Sequence, residues 1–171
     1  MSTVRERDGR LTARSAATLG LLAHDAKKQE LCDFAAANRH LLDYMRLIAP
    51  EDTARALADV GVETLALAPD THGGDLQLAA AVVDGTIDAV IFLHDPLSAL
   101  TAEPSVAPLL KVCDIERVPI ATNIAAAEIV VLHVRDRRVV RSGRHNQGHP
   151  AGKKRGTVLR LVPYAGTEGH G

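Results

Sequence analysis

Two short polar segments contain the residues of this chain whose types and spacing are suited to catalysis. His24-Asp25-Ala26-Lys27-Lys28 directly follows one apolar run, and His72-Gly73-Gly74-Asp75 follows another. Both runs are typical of buried strands, and open α/β sheets bind their ligands at the carboxyl ends of the strands. A carboxylate beside a Gly-Gly turn, facing an imidazole and an ammonium group, can move a proton on a small anionic substrate.

Strand-like and helical segments alternate around these two motifs. The apolar patterns predict strands at 18–23, 44–49, 64–68, 88–93 and 118–122, and helices at 27–42, 53–60, 75–83, 106–115 and 125–132. Asp52 is the expected N-cap of the helix over 53–60. Because strands separated by single helices imply right-handed crossovers, the predicted fold is α/β, with a doubly wound parallel sheet of five strands flanked by helices.

Composition and charge narrow the class of protein. A chain of 171 residues with 46% hydrophobic residues fits one globular domain, and its many Ala, Val and Leu residues predict an aliphatic core. The net charge of −1 gives no reason to expect a nucleic-acid or membrane partner, and no segment reaches the ~18 apolar residues of a membrane span. Cys32 and Cys113 have neither metal-site nor disulfide spacing, so we expect buried thiols in a cytoplasmic protein.

Both ends of the chain differ from the region between them. Residues 1–17 are charged and lack the apolar stretch of a secretory signal, so they are predicted to be a flexible segment before one domain at 18–134. Residues 135–171 are rich in Arg, Lys, Gly and His, which predicts a basic, Gly-rich tail. The tail lacks interleaved aromatic residues for nucleic acid and regular spacing of metal ligands, so neither partner is expected.

Several motifs follow one another between Leu19 and Leu132. They are Ala23-His24-Asp25 with Lys28-Gln29, Gly73-Gly74-Asp75 with Gln77, Asp84-Gly85 before Ile87-Asp88, Ile91-Phe92 with Asp95-Pro96-Leu97, and Pro119-Ile120-Ala121-Thr122-Asn123. In these motifs and their order the chain resembles the methylglyoxal synthase family. The resemblance implies a Rossmann-like parallel sheet, a homo-oligomer that is commonly a hexamer, and no cofactor or metal. It also implies removal of a proton from dihydroxyacetone phosphate, a phosphorylated triose, and expulsion of inorganic phosphate to leave methylglyoxal.

The resemblance further implies which residues form the site. The catalytic set is a carboxylate with its polar neighbours: Asp75, His24, Asp25 and Asp95. The substrate-binding set consists of groups that hold the triose or its phosphate: His24, Lys28, Thr53, Gly73 and Gly74. Deprotonation beside a carbonyl needs a base on one side and a hydrogen-bond donor for the developing oxyanion on the other. Asp75 is the expected base, and His24 is an expected donor.

Each of these assignments has a structural alternative. Asp75 could be the N-cap of its helix, with the glycines merely forming the turn. His24 could be a structural histidine at a strand end, and Lys28 a solvated surface lysine. Asp95 could simply close the turn before Pro96.

The segment after the second predicted strand departs from the family pattern. The family has a Thr-Gly-Thr-Thr-Gly phosphate loop there, whereas this chain has Pro50-Glu51-Asp52-Thr53-Ala54 and keeps only Thr53. A carboxylate ~4 Å from a phosphate charge costs about 4 kcal/mol at an effective dielectric of about 20, which is roughly a thousandfold in affinity. Pairing of Glu51 with a nearby arginine, Arg55 or Arg46, would offset that charge.

A second departure affects the hydrogen-bond donor for the substrate oxygen. The family has a His in a Pro-His-Asp-Pro-Asp segment, whereas this chain has Thr101-Ala102-Glu103-Pro104-Ser105, with Ala102 in place of the His. His94 replaces an aromatic residue of the family and is a candidate for the missing donor. Its structural alternative is a turn histidine hydrogen-bonded to Asp95.

Three functions therefore stay open at the level of the sequence. The first is an active methylglyoxal synthase. The second is a non-catalytic regulatory module of the same fold that binds a small anion or metabolite, which the acidic phosphate-loop segment and Ala102 favour. The third is an enzyme that acts on a different, non-phosphorylated carbonyl substrate and still needs Asp75.

Overall fold

Five strands and six α-helices alternate along the part of the chain that the computed structural model describes, residues 16–97 and 106–143. The strands are β1 (Thr18–Ala23), β2 (Arg46–Pro50), β3 (Leu65–Leu67), β4 (Ala89–Leu93) and β5 (Ile120–Ala121). The helices are α1 (Lys28–Ala37), α2 (Arg39–Leu42), α3 (Glu51–Asp59), α4 (Gly74–Val83), α5 (Val106–Glu116) and α6 (Ile124–Gly143). Two 3-10 turns follow β1 and β3: the first is Asp25–Lys27 and the second is Asp70–His72.

The strands form one parallel sheet in the order β3-β2-β1-β4-β5. From β1 the chain moves outward through β2 to β3, and it then crosses to β4 on the other side of β1. The order of the strands thus reverses between β1 and β4, and ligands of such sheets bind at this point, at the carboxyl ends of the strands. The predicted five-stranded, doubly wound parallel sheet is confirmed.

Helices cover both faces of the sheet. Alternate strand residues such as Leu21 and Ile91 pack with α1, α3 and α6, whereas their neighbours Leu22 and Phe92 pack with α4 and α5. This alternation follows from the two-residue period of a strand, and burial on both faces explains why β1 and β4 are continuous apolar runs. The core is mainly aliphatic, as its composition predicts.

The helix predicted over 27–42 is wrong in its continuity, because Asn38 divides it into α1 and α2. The Asn38 side-chain amide donates a hydrogen bond to the Phe34 carbonyl oxygen at 2.9 Å. An asparagine that bonds to the local backbone in this way competes with the helical hydrogen bonds. The α1 helix therefore ends there, and only one further turn, α2, forms before β2.

The N-cap predicted for α3 is also wrong. The helix begins at Glu51, two residues earlier than expected, and Pro50 rather than Asp52 occupies the N-cap position. Proline is tolerated at a helix start because no intrahelical bond needs its missing N–H. Strand β2 therefore leads into α3 with no intervening loop.

Helix α6 extends beyond its predicted end at Leu132 and continues to Gly143. Val130, Val131 and Val134 are buried at helical spacing, so packing against the sheet continues past the expected end. The first residues of the predicted tail, 135–143, are thus helical, whereas its remaining residues, 144–171, lie outside the described part.

Two expectations from composition can be compared with the described residues. Cys32 and Cys113 are buried free thiols, as expected. Across 16–97 and 106–143, no helix has both the length and the apolar character needed to cross a membrane. The expectation for residues 1–15 lies outside these ranges.

Candidate active site

His24 connects the two loops at the point where the strand order reverses. It follows β1, is 9% exposed, and its backbone N–H donates to the Leu93 carbonyl at the end of β4. The backbone N–H of Asp95 donates to His24 Nδ1 at 3.1 Å, and Phe92 packs edge-on against the ring at a centroid distance of 5.3 Å. Because Nδ1 accepts this hydrogen bond, the neutral imidazole carries its proton on Nε2. His24 thus has a structural role through one nitrogen and is a donor through the other.

The loop after β4 contributes a second imidazole and a turn. The His94 ring lies 6.2 Å from the rings of both His24 and Phe92, measured between centroids. The Asp95 carboxylate accepts a hydrogen bond from the Leu97 N–H at 2.9 Å and so closes the turn around Pro96. Asp95 therefore orients the His24 ring with its backbone, while its side chain has the role given by the structural alternative.

Lys28 is held at the start of α1 by an ion pair. Its Nζ lies 2.6 Å from Oδ1 of Asp25 in the first 3-10 turn. The Lys28 side chain is 23% exposed, whereas that of Asp25 is 80% exposed. Lys28 is thus only partly exposed and is not a fully solvated surface lysine. The ion pair with Asp25, whose carboxylate faces solvent, fixes the position of its ammonium group.

Asp75 lies in the first turn of α4, and its carboxylate does not cap the helix. The N-cap of α4 is Gly73, and no side chain among the described residues forms a cap hydrogen bond at this helix start. Asp75 is half-buried and forms no hydrogen bond or ion pair with any group in the described ranges. The structural alternative for this residue, an N-cap, therefore does not apply.

The two glycines let the start of α4 approach the sheet closely. Gly73 has φ +83°, the left-handed region that glycine adopts without strain. A Cβ on Gly74 would lie 2.0 Å from the Ala68 carbonyl oxygen and 3.0 Å from Pro50 Cβ, so any side chain there would push the helix away. Because Pro50 ends β2, next to the central β1, this contact brings Asp75 inward from the edge strand β3.

The backbone N–H groups of the glycines are used within the turn. Gly73 N donates to the Asp70 carbonyl and Gly74 N to the Pro69 carbonyl, both at 3.1 Å. Gln77 fixes the same segment from one turn along α4, because its Oε1 accepts a hydrogen bond from the Ala68 N–H at 3.0 Å. In this structure the two glycines therefore serve to position Asp75.

The segment that replaces the phosphate loop is the first turn of α3. Arg55 lies 2.7 Å from a Glu51 oxygen and 3.7 Å from an Asp52 oxygen, so of the two candidate arginines it is Arg55 that pairs with Glu51. Thr53 is 1% exposed, and its Oγ1 is buried without a hydrogen-bond partner among the described residues. No side chain in the described ranges caps α3, so its first N–H groups and the positive end of its dipole can receive an anion.

Asp70 is a site residue that the sequence reasoning missed. It opens the second 3-10 turn, directly after Pro69 at the end of β3. Burial, and then the negative charge of Asp75, raise the pKa of the Asp70 carboxyl to about 6, while Lys28 acts in the opposite direction. The only signal in the sequence was a third carboxylate at a strand end, which by itself is typical of a turn.

The structure thus brings the candidate groups to one edge of the sheet in two neighbouring sets. In the first set, Asp75 raises and Lys28 lowers the pKa of the Asp70 carboxyl. In the second set, His24 and the backbone of Asp95 lie where the strand order reverses between β1 and β4. Ala102, and with it the missing family histidine, lies outside the described residues. Within those residues, no three His, Cys, Asp or Glu side chains are grouped so that they could hold a metal ion.

Comparison with known proteins places this arrangement in a family. The family model of the MGS-like domain matches residues 30–127, more than half of the chain. A methylglyoxal synthase of Thermoanaerobacter sp. (strain X514) is 40% identical over 114 residues, which cover 66% of this chain and 86% of that protein. A methylglyoxal synthase of Cupriavidus metallidurans is 38% identical over 122 residues, which cover 71% of this chain and 87% of that protein.

A solved structure agrees with the sequence comparison. The crystal structure of methylglyoxal synthase from Elizabethkingia anophelis NUHP1 superimposes with a TM-score of 0.65 at 31% identity, over 67% of this chain and 76% of that one. These matches confirm the resemblance to the methylglyoxal synthase family. The chain belongs to the MGS-like domain family, together with these methylglyoxal synthases.

Proposed function

We propose that this protein is a cytoplasmic methylglyoxal synthase, a lyase that converts dihydroxyacetone phosphate into methylglyoxal and inorganic phosphate. The placement of Asp75 carries the proposal. Its half-buried carboxylate does not cap α4, and both it and Lys28 lie close enough to Asp70 to affect the pKa of that carboxyl. A carboxylate that has no hydrogen-bond or ion-pair partner among the described residues, on the same edge of the sheet as an ammonium group, suits a base that works on an anionic substrate.

The phosphate of the substrate would bind at the start of α3. The buried Thr53 hydroxyl can donate to a phosphate oxygen, and the exposed N–H groups of the helix start add further donors. Arg55 pairs closely with Glu51 and lies near Asp52, so it offsets one of the two negative charges of this segment and reduces its repulsion of a phosphate. Lys28 adds positive charge from the neighbouring helix start.

Proton abstraction is the first chemical step of the proposal. Asp75 removes a proton from the hydroxymethyl carbon, beside the carbonyl group. The electron pair moves onto the carbonyl oxygen, where His24 Nε2–H donates a hydrogen bond to the developing negative charge. A neutral imidazole suits this role because its Nδ1 is already held by the Asp95 N–H.

Elimination of phosphate completes the reaction. The bond between the second methylene carbon and its phosphate oxygen breaks, and the bonding electrons leave with inorganic phosphate. The hydroxyl group on the carbon that lost its proton gives its own proton to the departing phosphate and becomes the aldehyde carbonyl. Its electron pair displaces the enediolate double bond toward the second methylene carbon, which gives the enolate of methylglyoxal. The enolate takes back the proton held by Asp75 on its methylene carbon and becomes methylglyoxal.

Turnover is the direct test. The purified protein should release methylglyoxal and phosphate in equal amounts from dihydroxyacetone phosphate, and calorimetry should show phosphate binding to the same protein. Phosphate binding without products from folded protein would reject the enzyme and favour the regulatory module. An Asp75-dependent reaction that phosphate does not inhibit would favour the non-phosphorylated substrate.

We extend the proposal to a homo-oligomer, the assembly that the family resemblance implies. An exposed apolar stripe on α4 supports it, because Leu76 and Val83 are 62% and 55% exposed and share one side of the helix with Ala80. Large apolar side chains that lie together on a surface are typical of contacts between proteins.

A further inference from the structure

Asp70 occupies the turn between the end of β3 and the helix that carries Asp75. Its backbone oxygen accepts the Gly73 N–H, so its main chain serves the turn. Its side chain neither caps α4 nor pairs with a cation, and its Oδ1 is buried without a hydrogen-bond partner in the described ranges. The fold therefore buries a carboxylate oxygen here that stabilises neither a helix end nor an ion pair within the described residues.

A second buried oxygen without a partner lies at the adjoining helix start. Thr53 is almost fully buried, and its Oγ1 also lacks a hydrogen-bond partner within the described part of the chain. The starts of α3 and α4 adjoin, because Pro50, directly before α3, lies against Gly74 of α4. Since buried polar groups are almost always hydrogen-bonded, two such oxygens on adjoining elements point to a ligand that both bind.

Charged groups from four other elements act on Asp70. They are Asp75 on α4, Asp52 on α3, Asp25 in the first 3-10 turn, and Lys28 on α1. On its own turn, His72 is exposed and its Nδ1 lies 3.0 Å from Thr71 Oγ1. Burial is the largest influence and the three carboxylates add to it, so the pKa of Asp70 rises from 3.8 to about 6.

We propose that Asp70 meets the anionic ligand of this site as a neutral carboxylic acid, so that anion binding takes up one proton from solvent onto its carboxylate. An ionised Asp70 would place a fourth carboxylate charge beside the incoming anion, whereas the acid donates an O–H hydrogen bond to it. No other bond forms or breaks in this step. The inference deepens the proposed function, because it rests on the phosphate site of that function.

Sulfate is a suitable probe, since it is a tetrahedral dianion that does not titrate between about pH 5 and 8. With a pKa of about 6, the acid form of Asp70 falls from nearly all molecules at about pH 5 to about 3% at about pH 7.5, so the sulfate affinity should fall about thirtyfold. Calorimetry in buffers of different ionisation enthalpy should show about 0.8 proton taken up per sulfate at about pH 6.5.

Asp70→Asn isolates the contribution of this carboxyl from that of the histidines. The variant should bind sulfate with most of the pH dependence and proton uptake removed. Asp84→Asn is the matched control, because Asp84 is an exposed carboxylate at the opposite end of α4, and this variant should behave like the wild type. Asp70→Ser serves in the same assay if the asparagine variant does not fold.

Two results would overturn the inference. One is proton uptake and pH dependence that are the same in both Asp70 variants and in the wild type. The other is a folded wild-type protein that binds sulfate without proton uptake or does not bind it at all. Turnover of dihydroxyacetone phosphate separates this inference from the proposed function: methylglyoxal formation with no proton-linked binding rejects only the role of Asp70, and proton-linked binding without turnover rejects only the synthase.

Discussion

The backbone determines the chemical role of the His24 ring. A peptide N–H has only a proton to give, so the hydrogen bond from Asp95 N obliges Nδ1 to accept and leaves the proton on Nε2. Phe92 packs edge-on against the ring and restricts its orientation. His94 lies next to the pair but is not part of this hydrogen bond. His24 is therefore better defined than His94 as the donor to a substrate oxygen.

We expect His24→Gln to lower kcat by about a hundredfold to a thousandfold, because it removes an oriented donor to the oxyanion. His94→Phe, which restores an aromatic side chain at that position, should lower kcat by less than about tenfold. Steady-state kinetics on both variants, with circular dichroism to check folding, gives the comparison. A larger loss for His94→Phe would transfer the role of donor to His94.

From the raised pKa of Asp70 we also predict how the free energy of unfolding depends on pH. Because the pKa is about 6 in the folded protein and 3.8 ordinarily, folding is favoured while the carboxyl is protonated. The resulting penalty develops as the pH rises from about 4 to about 6 and is complete above that. Asp70→Asn removes the penalty, so its free energy of unfolding at about pH 7.5 should exceed that of the wild type by about 1–2 kcal/mol, allowing for partial solvation of the carboxyl.

Urea denaturation at two pH values tests this expectation. The advantage of Asp70→Asn over the wild type should be present at about pH 7.5 and nearly absent at about pH 4. An equal difference at both values would show that the substitution acts through packing and not through ionisation.

At the scale of elements, the affinity of the start of α3 for an anion depends on how far the charges of its own acidic residues are offset. Arg55 pairs with both Glu51 and Asp52 one turn along the helix. We expect Arg55→Ala to weaken phosphate binding by about three- to tenfold, with an effect that shrinks as salt is added. Arg39→Ala, which breaks the ion pair between Arg39 on α2 and Asp43 directly after it, is the matched control and should leave phosphate affinity unchanged.

Calorimetry with inorganic phosphate at low and high ionic strength measures both variants. If Arg55→Ala binds phosphate as tightly as the wild type at low salt, Glu51 and Asp52 do not face the anion. The phosphate would then bind elsewhere along this edge of the sheet.

The sequence predicts the elements where their signals are local, and fails where packing decides. The run over β1 is bounded as expected because its residues are apolar on both faces. The end of α6 was missed because the charged run 135–138 follows directly after Val134, whose burial becomes visible only when the helix is packed on the sheet. Asn38 and Pro50 altered helix bounds through backbone hydrogen bonding, which hydrophobic periodicity does not register.

The candidate site shows the same division. Residue types and family motifs predict Asp75, His24 and Lys28. Proximity in sequence reduced the partners of Glu51 to two arginines, and the structure selects Arg55. Asp70 was missed because its protonation depends on burial and on charges from four separate elements. Only the assembled fold brings those charges together.

At the scale of the whole molecule, the exposed α4 stripe predicts association of protomers. Light scattering on the purified protein should give a mass that is a multiple of 18.2 kDa. Leu76→Glu and Val83→Lys together should shift the mass toward that of one chain, because they place charges in an apolar contact. Gln29→Glu, on the exposed surface of α1, should leave it unchanged. A wild-type mass of 18.2 kDa would contradict the homo-oligomer.

The topology of the sheet brings segments that are distant in sequence together at one site. Parallel strands all end at the same edge, so groups that follow β1, β2, β3 and β4 meet there although up to 71 positions separate two of them in sequence. Gly74 then allows α4 to close onto β2, which carries Asp75 toward the centre of that edge. The proposed chemistry depends on Asp75 acting there as the base.

The rate of methylglyoxal formation by Asp75→Asn, compared with wild type and with Asp84→Asn, tests that claim most directly. Asparagine keeps the shape of the side chain but cannot take the carbon proton, so we expect kcat to fall about a thousandfold while phosphate still binds and Asp84→Asn stays near wild type. If Asp75→Asn turns over dihydroxyacetone phosphate at the wild-type rate, Asp75 is not the base and the proposed chemistry is wrong.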